Sequence, residues 1–210
     1  MDASTKLDRR REGGRKTRER LLDAAVELLA ERGEDAVTLR DITDSAEANV
    51  AAVSYHFGCM GSLLEAVLEH SMSRVLDAQE EGLRALGEAP CLEAVAKAFA
   101  RPVVTALATG GRELELIQIV ARVGIDPPEG WGERLSARFA QVRGEVVDAL
   151  RPNLPDTPDE QLSFRVRCAS GLLNWFVLGP MRAELERRPE DELEPLMIPV
   201  LVGTFRADAA

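Results

Sequence analysis

Ser54, Tyr55 and His56 place a hydroxyl, a phenol and an imidazole on consecutive residues, closely preceded by Asn49, Ala51 and Ala52 and, further back, by Arg40. On one short helix, Ala51, Ala52, Ser54, Tyr55 and His56 form a face of small residues and polar tips. Small residues let another surface come close, and the polar tips can donate to phosphates or to base edges. That is the chemistry of recognition. Chemistry of turnover has little to work with. There is no Gly-rich phosphate loop, no Gly-x-Ser-x-Gly and no His-Glu-x-x-His. Glu113 and Glu115 stand at i and i+2, which do not share a helix face. With only His56 and His70, and with Cys59, Cys91 and Cys168 far apart, neither a metal site nor a cofactor is expected.

The polar face needs two helices to position it. Thr38 is a good N-cap, and Asp41 can return a hydrogen bond to its backbone. Leu39, Ile42 and Ala46 then follow at helical spacing. Asn49 is a second N-cap, ahead of a stripe expected to be buried at Val50, Val53 and Phe57. The connection around Glu47–Asn49 has the length of a helix-turn-helix.

Thr38, Ile42, Ala46, Tyr55, His56, Phe57, Leu63 and Leu64 together resemble the DNA-binding domain of TetR-type transcriptional repressors, from about residue 14 to residue 70. The resemblance implies that Thr38, Tyr55 and His56 serve mainly phosphates. Arg40, Ser54 and the backbone side of Ala51 and Ala52 would then lie near base edges, with Asn49 also close to DNA. Three positions depart from the family's pattern. Glu47 replaces the usual turn glycine, Ala48 the usual valine, and Met60 a lysine that in many members contacts phosphate.

The net charge of −10 argues against nucleic acid until it is mapped. Residues 1–20 hold eight basic and four acidic side chains, so this end carries +4 and the rest of the chain −14. Screening confines phosphate attraction to about 10 Å at ordinary salt. A basic end on an acidic body can therefore bind DNA locally. Residues 1–14, with Gly13-Gly14 and no apolar periodicity, are expected to form a mobile basic arm, and Lys16 just beyond it is a further phosphate contact. The charged N-terminus lacks the apolar core of a secretory signal, no apolar run is long enough to span a membrane, and the sparse cysteines suit a reducing cytoplasm.

The expected fold is all-α. A helix-turn-helix DNA-binding domain over residues 15–60 precedes a helical effector-binding and dimerisation domain over residues 61–210. A first helix from about Thr17 stops at Gly33, and a fourth runs from about Met60 to Leu83. Apolar spacing predicts five further segments. Pro102 kinks or divides the first of these, and Pro199 bends or delays the last. Thr157-Pro158-Asp159-Glu160 reads as a capped start for the eighth helix.

By resemblance, this second half forms a ligand pocket, and its last helices pair two copies. The pocket is expected to be lined by Met72, Leu76, Phe99, Val103, Ile117, Val120, Trp131, Phe139 and Trp175, with Arg122, Gln118 and Asn174 as polar anchors. Such a lining suits a small apolar effector. The function expected is a homodimeric repressor, released from a double-stranded, near-palindromic operator by that effector. Two alternatives stand beside it: a dimeric regulator without a ligand, and a thiol-based redox sensor through Cys59.

Overall fold

The computed structural model describes residues 3–127 and 132–206. Every regular element among them is helical, in the order α1 (Ala3–Arg32), α2 (Leu39–Ser45), α3 (Val50–His56), α4 (Met60–Arg84), α5 (Leu92–Thr109), α6 (Gly111–Ile125), α7 (Gly132–Leu150), α8 (Asp159–Leu178), α9 (Arg182–Leu185) and α10 (Glu190–Arg206). Short 3-10 turns occupy Glu34–Ala36 and Arg151–Asn153. Two compact units divide at Ser71/Met72, inside α4. No single helix of the described residues is long and apolar enough to cross a membrane.

In the first unit, α1 packs on α2 and α3, and Leu21, Ala25, Val26, Ile42, Val53 and Leu63 are fully buried between them and the start of α4. Gly33 stops α1 in a left-handed conformation (φ +78°), donating to the Leu29 carbonyl at 3.0 Å. The other end of α1 corrects the sequence reading, because the expected arm is helical from Ala3. Charged residues with good helix propensity extend the helix without an apolar stripe. Lys16–Glu12 (3.1 Å) and Arg15–Glu19 (2.9 Å) pair along it at i,i+4 spacing, and the Thr17 hydroxyl donates to the Gly13 carbonyl. Val50 is a second correction. At the first position of α3 it is 47% exposed, while Val53 is buried and Phe57 half-buried.

The second unit places α10 against α5 and α8, with α6 and α7 also packed on α8. Leu107, Leu150, Leu162, Leu193, Met197, Leu201 and Phe205 form its fully buried centre. Pro102 does not divide α5. It withholds the N–H that would reach the Ala98 carbonyl, and Gly82 of α4 lies against that carbonyl, where a Cβ would stand 3.4 Å from the oxygen. The Gln79 amide donates to the neighbouring Phe99 carbonyl at 2.8 Å. Nearby, the buried Glu80 accepts from Arg138, Arg84 and Gln141, while Arg138 also reaches Asp77. The bond from Arg138 is the chief cause that holds the Glu80 carboxyl below its ordinary value.

The start of α8 differs from the expected capping box. Pro158 precedes the first turn and no side chain caps it. Instead Arg151 donates to the Thr157 carbonyl at 2.7 Å and pairs with Asp159, so a cation from the preceding turn holds this end. The last helix begins at Glu190 and contains both Pro195 and Pro199.

Candidate functional site

The helix-turn-helix is built from two caps and one turn. Thr38 Oγ1 accepts from the Asp41 backbone N–H at 3.2 Å, and Asp41 Oδ2 accepts from the Thr38 backbone N–H at 2.8 Å. The Thr38 hydroxyl also donates to Asp41 Oδ2 at 2.5 Å, the leading cause of a lowered Asp41 carboxyl pKa. The one O–H that Thr38 could offer a phosphate is therefore engaged within the cap. Asn49 Oδ1 accepts from the Ala51 N–H at 2.9 Å and opens α3. Between the helices, the Ala48 N–H reaches the Thr43 carbonyl (2.9 Å) and the Glu47 N–H reaches Asp44 (3.2 Å). This bond pair is a Schellman motif. It sets Glu47 in the left-handed region at φ +47°, a conformation usually taken by glycine.

The caps leave α3 with an outward polar face. Tyr55 is 83% exposed and meets the His56 ring edge-on, with centroids 4.8 Å apart. Ala51 and Ser54 are exposed, while Ala52 and His56 are half-exposed. Arg40 stands out from α2 with only a loose ion pair to Asp44 at 3.7 Å. From α1, Arg18 covers the ring of Phe57, and Gly14 runs past the His56 imidazole. Lys16 on the same helix is solvent-exposed, paired with Glu12. Cys59 is exposed, with Sγ 3.5 Å from the Ser62 hydroxyl, which pulls the thiol below its ordinary pKa.

The second unit holds a cavity of about 550 Å³. Leu76, Phe99, Val103, Ile117, Val120, Phe139 and Asn174 line it, brought together from α4, α5, α6, α7 and α8. Four expected residues do not contribute. Met72 is buried one turn before the stretch of α4 that reaches the cavity, and Arg122 is exposed on α6. Trp175 is 53% exposed: it follows Asn174, and one step along a helix turns the next side chain away. Gln118 is buried but donates to the Val177 carbonyl at 3.2 Å, fastening α6 to α8. Trp131 lies outside the described residues.

Arg143, Arg167, Gln79, Ser136 and Ser170 also line the cavity and were missed. Arg143 falls one turn after Phe139, and Arg167 two turns before Asn174, so helical spacing could have found both. A charged residue is ordinarily assigned to solvent, which hid them.

An outward-facing second helix of a helix-turn-helix, held by its own caps, defines the class as a DNA-binding regulator. Residues 21–67 match the family described as bacterial regulatory proteins, tetR family, and residues 97–203 match the tetracyclin repressor-like C-terminal domain. The HTH-type transcriptional repressor Rv3405c of Mycobacterium tuberculosis is 32% identical over 168 residues, covering 77% of this chain and 72% of its own length. HTH-type transcriptional regulator Mb3439c of Mycobacterium bovis has the same identity and coverage.

Among solved structures, AibR in complex with isovaleryl coenzyme A and operator DNA superposes with a TM-score of 0.68 at 16% identity, covering 89% of this chain and 98% of its own. A TetR family regulator from Marinobacter aquaeolei VT8 gives 0.67 at 17%, covering 92% and 97%. At such identities these structures share the fold alone. The chain belongs to the TetR family of transcriptional regulators; it is a DNA-binding regulator and not an enzyme.

Proposed function

We propose that the protein is a homodimeric repressor released from a near-palindromic operator by a small ligand. The observation that carries this reading is the cavity of about 550 Å³ in the second unit, a volume ordinary for small-molecule sites. Helix α4 belongs to both units: it begins directly after the recognition helix, and its Val75, Leu76 and Gln79 line the cavity.

In this reading, Tyr55 and His56 hold phosphates, and Arg40 and Ser54 approach bases. Thr38 joins the phosphate contacts only by giving up its bond to Asp41. Phe164 and Trp175 on α8, with Leu196 and Val200 on α10, are large apolar side chains that are about half exposed. A second copy covering them supplies the two-fold axis, and two recognition helices about 34 Å apart then read successive major grooves. A ligand that favours another spacing weakens DNA binding by its preference; about 3 kcal/mol corresponds to roughly 150-fold. AibR, of the same fold, has been crystallised with both a small molecule and operator DNA, which supports coupling of the two sites.

Fragmented source DNA captured on the purified protein and sequenced gives the operator. Small molecules extracted from the same cells are then screened for release of that operator, and the protein–operator complex is weighed by native mass spectrometry. Specific capture followed by ligand-dependent release, with two chains per operator, supports the reading. Capture without sequence preference, or a ligand that fills the cavity with operator affinity unchanged, overturns it. The exposed, acidified Cys59 thiol beside α3 favours one second reading, a redox response. If Cys59→Ser leaves the effect of peroxide on operator binding unchanged, that reading is wrong.

A further inference from the structure

We infer that the cavity of the second unit takes an amphipathic anion, an apolar chain ending in a carboxylate or phosphate, whose charge Arg143 and Arg167 hold at the rim. The inference rests on the reading that the cavity is an effector site, and it names the chemistry of the effector. The chain carries a net charge of −10, yet both charged residues among those lining this cavity are arginines.

Arg143 differs from its neighbour on the same helix. Arg138, five residues before Arg143 on α7, is bonded to Glu80 and Asp77. Arg143 is half-buried beside the apolar lining, and it has no ion pair among the described residues. Arg167 is exposed on α8, which packs against α7, and among the described residues its guanidinium lies over the Phe164 ring, at 5.9 Å. The floor, by contrast, is buried and aliphatic, with Leu76, Val103 and Val142 among its residues.

A partly desolvated guanidinium without a carboxylate is costly, and a bidentate oxyanion is its natural complement. A neutral ligand would leave that cation unmatched, and a cationic one would be repelled. A ligand with an apolar body and a terminal anion satisfies floor and rim together.

The test uses the full-length protein and four probes with one tail: octanoate, octyl phosphate, octanol and octylammonium, titrated calorimetrically. At least one anion binds at least about tenfold more tightly than octanol, and octylammonium binds most weakly. Whichever anion is tighter assigns the head group. Arg143→Gln removes most of the preference for the anion and leaves octanol binding as it was, whereas Arg143→Lys retains the preference. Thermal melting of the free variants confirms that they fold. Octanol binding as tightly as both anions, an Arg143→Gln protein with its preference intact, or no anion binding at all overturns the inference. Operator release separates the two proposals. Anion binding without release upholds the anion site and sinks the ligand-released repressor, while release by octanol alone does the reverse.

Discussion

The guanidinium of Arg18 lies 4.9 Å from the centre of the Phe57 ring. Phe57 is the residue that ends α3, so a cation of α1 is fastened to the recognition helix itself. Four residues earlier, Gly14 passes close to the His56 imidazole, where a Cβ would stand 3.6 Å from Cε1. The described cations of residues 1–20 are thus held in two ways. Arg15 and Lys16 face solvent in i,i+4 pairs with Glu19 and Glu12, while Arg18 covers an aromatic face.

Arg18→Gln should lower stability by about 0.5–1 kcal/mol, the range for an exposed cation–π contact. The denaturation midpoint should fall with an unchanged slope, since the folded core is not reorganised. An unaltered midpoint would show that the guanidinium is held by nothing.

Tyr55→Ala should leave stability within about 0.5 kcal/mol, because the side chain is 83% exposed and supports no core. Binding to operator and to a scrambled duplex should weaken by similar factors, on the order of tenfold. Competition assays at one salt concentration check this. A loss confined to one base step would make Tyr55 a reader of sequence instead of a phosphate contact.

The Glu80–Arg138 pair predicts a pH dependence. The folded pKa of Glu80 lies below its ordinary 4.5, chiefly through the hydrogen bond from Arg138. The unfolded chain then takes up the proton first as pH falls. The pair's contribution is complete above about 4.5 and is lost as pH drops through the folded value. Glu80→Gln should thus be less stable than the parent at pH 7, and the gap should narrow toward pH 3. Urea titrations across that range measure it, and a gap constant with pH would assign the loss to packing.

Local signals were the legible ones. The caps at Thr38 and Asn49, the stop at Gly33 and the start of α4 at Met60 each depend on residues within one turn, and all lie where the sequence places them. The N-terminal stretch was misread because its glycines and charges suggest a coil, while i,i+4 ion pairs carry a helix through them. The ends of α8 and α9 depend on contacts made elsewhere in the fold. Arg151 holds the start of α8, and the Arg187 N–H, just after α9, reaches back to the Leu107 carbonyl at 2.7 Å. The cavity was half legible. Periodicity finds Leu76, Ile117 and Phe139, but it cannot tell that Trp175 faces solvent or that Arg143 stays beside an apolar lining.

Glu47 gives the last prediction. It occupies the left-handed position of the Schellman turn between α2 and α3, at φ +47°, a conformation that glycine adopts without a steric cost. A side chain there costs roughly 1–2 kcal/mol through the contact of Cβ with the following carbonyl. Glycine removes that strain but gives back about 0.5–1 kcal/mol in unfolded-state entropy. Glu47→Gly should therefore stabilise the protein by up to about 1.5 kcal/mol. The substitution also removes a carboxylate two residues before Asn49, the cap of the recognition helix. Operator affinity should rise, and rise more at low salt, because the repulsion removed is solvent-screened. Chemical denaturation and binding isotherms at two salt concentrations measure the two effects independently. Loss of stability would mean that the turn is held by the glutamate itself, whereas a gain in stability with unchanged affinity would place this turn away from the phosphates.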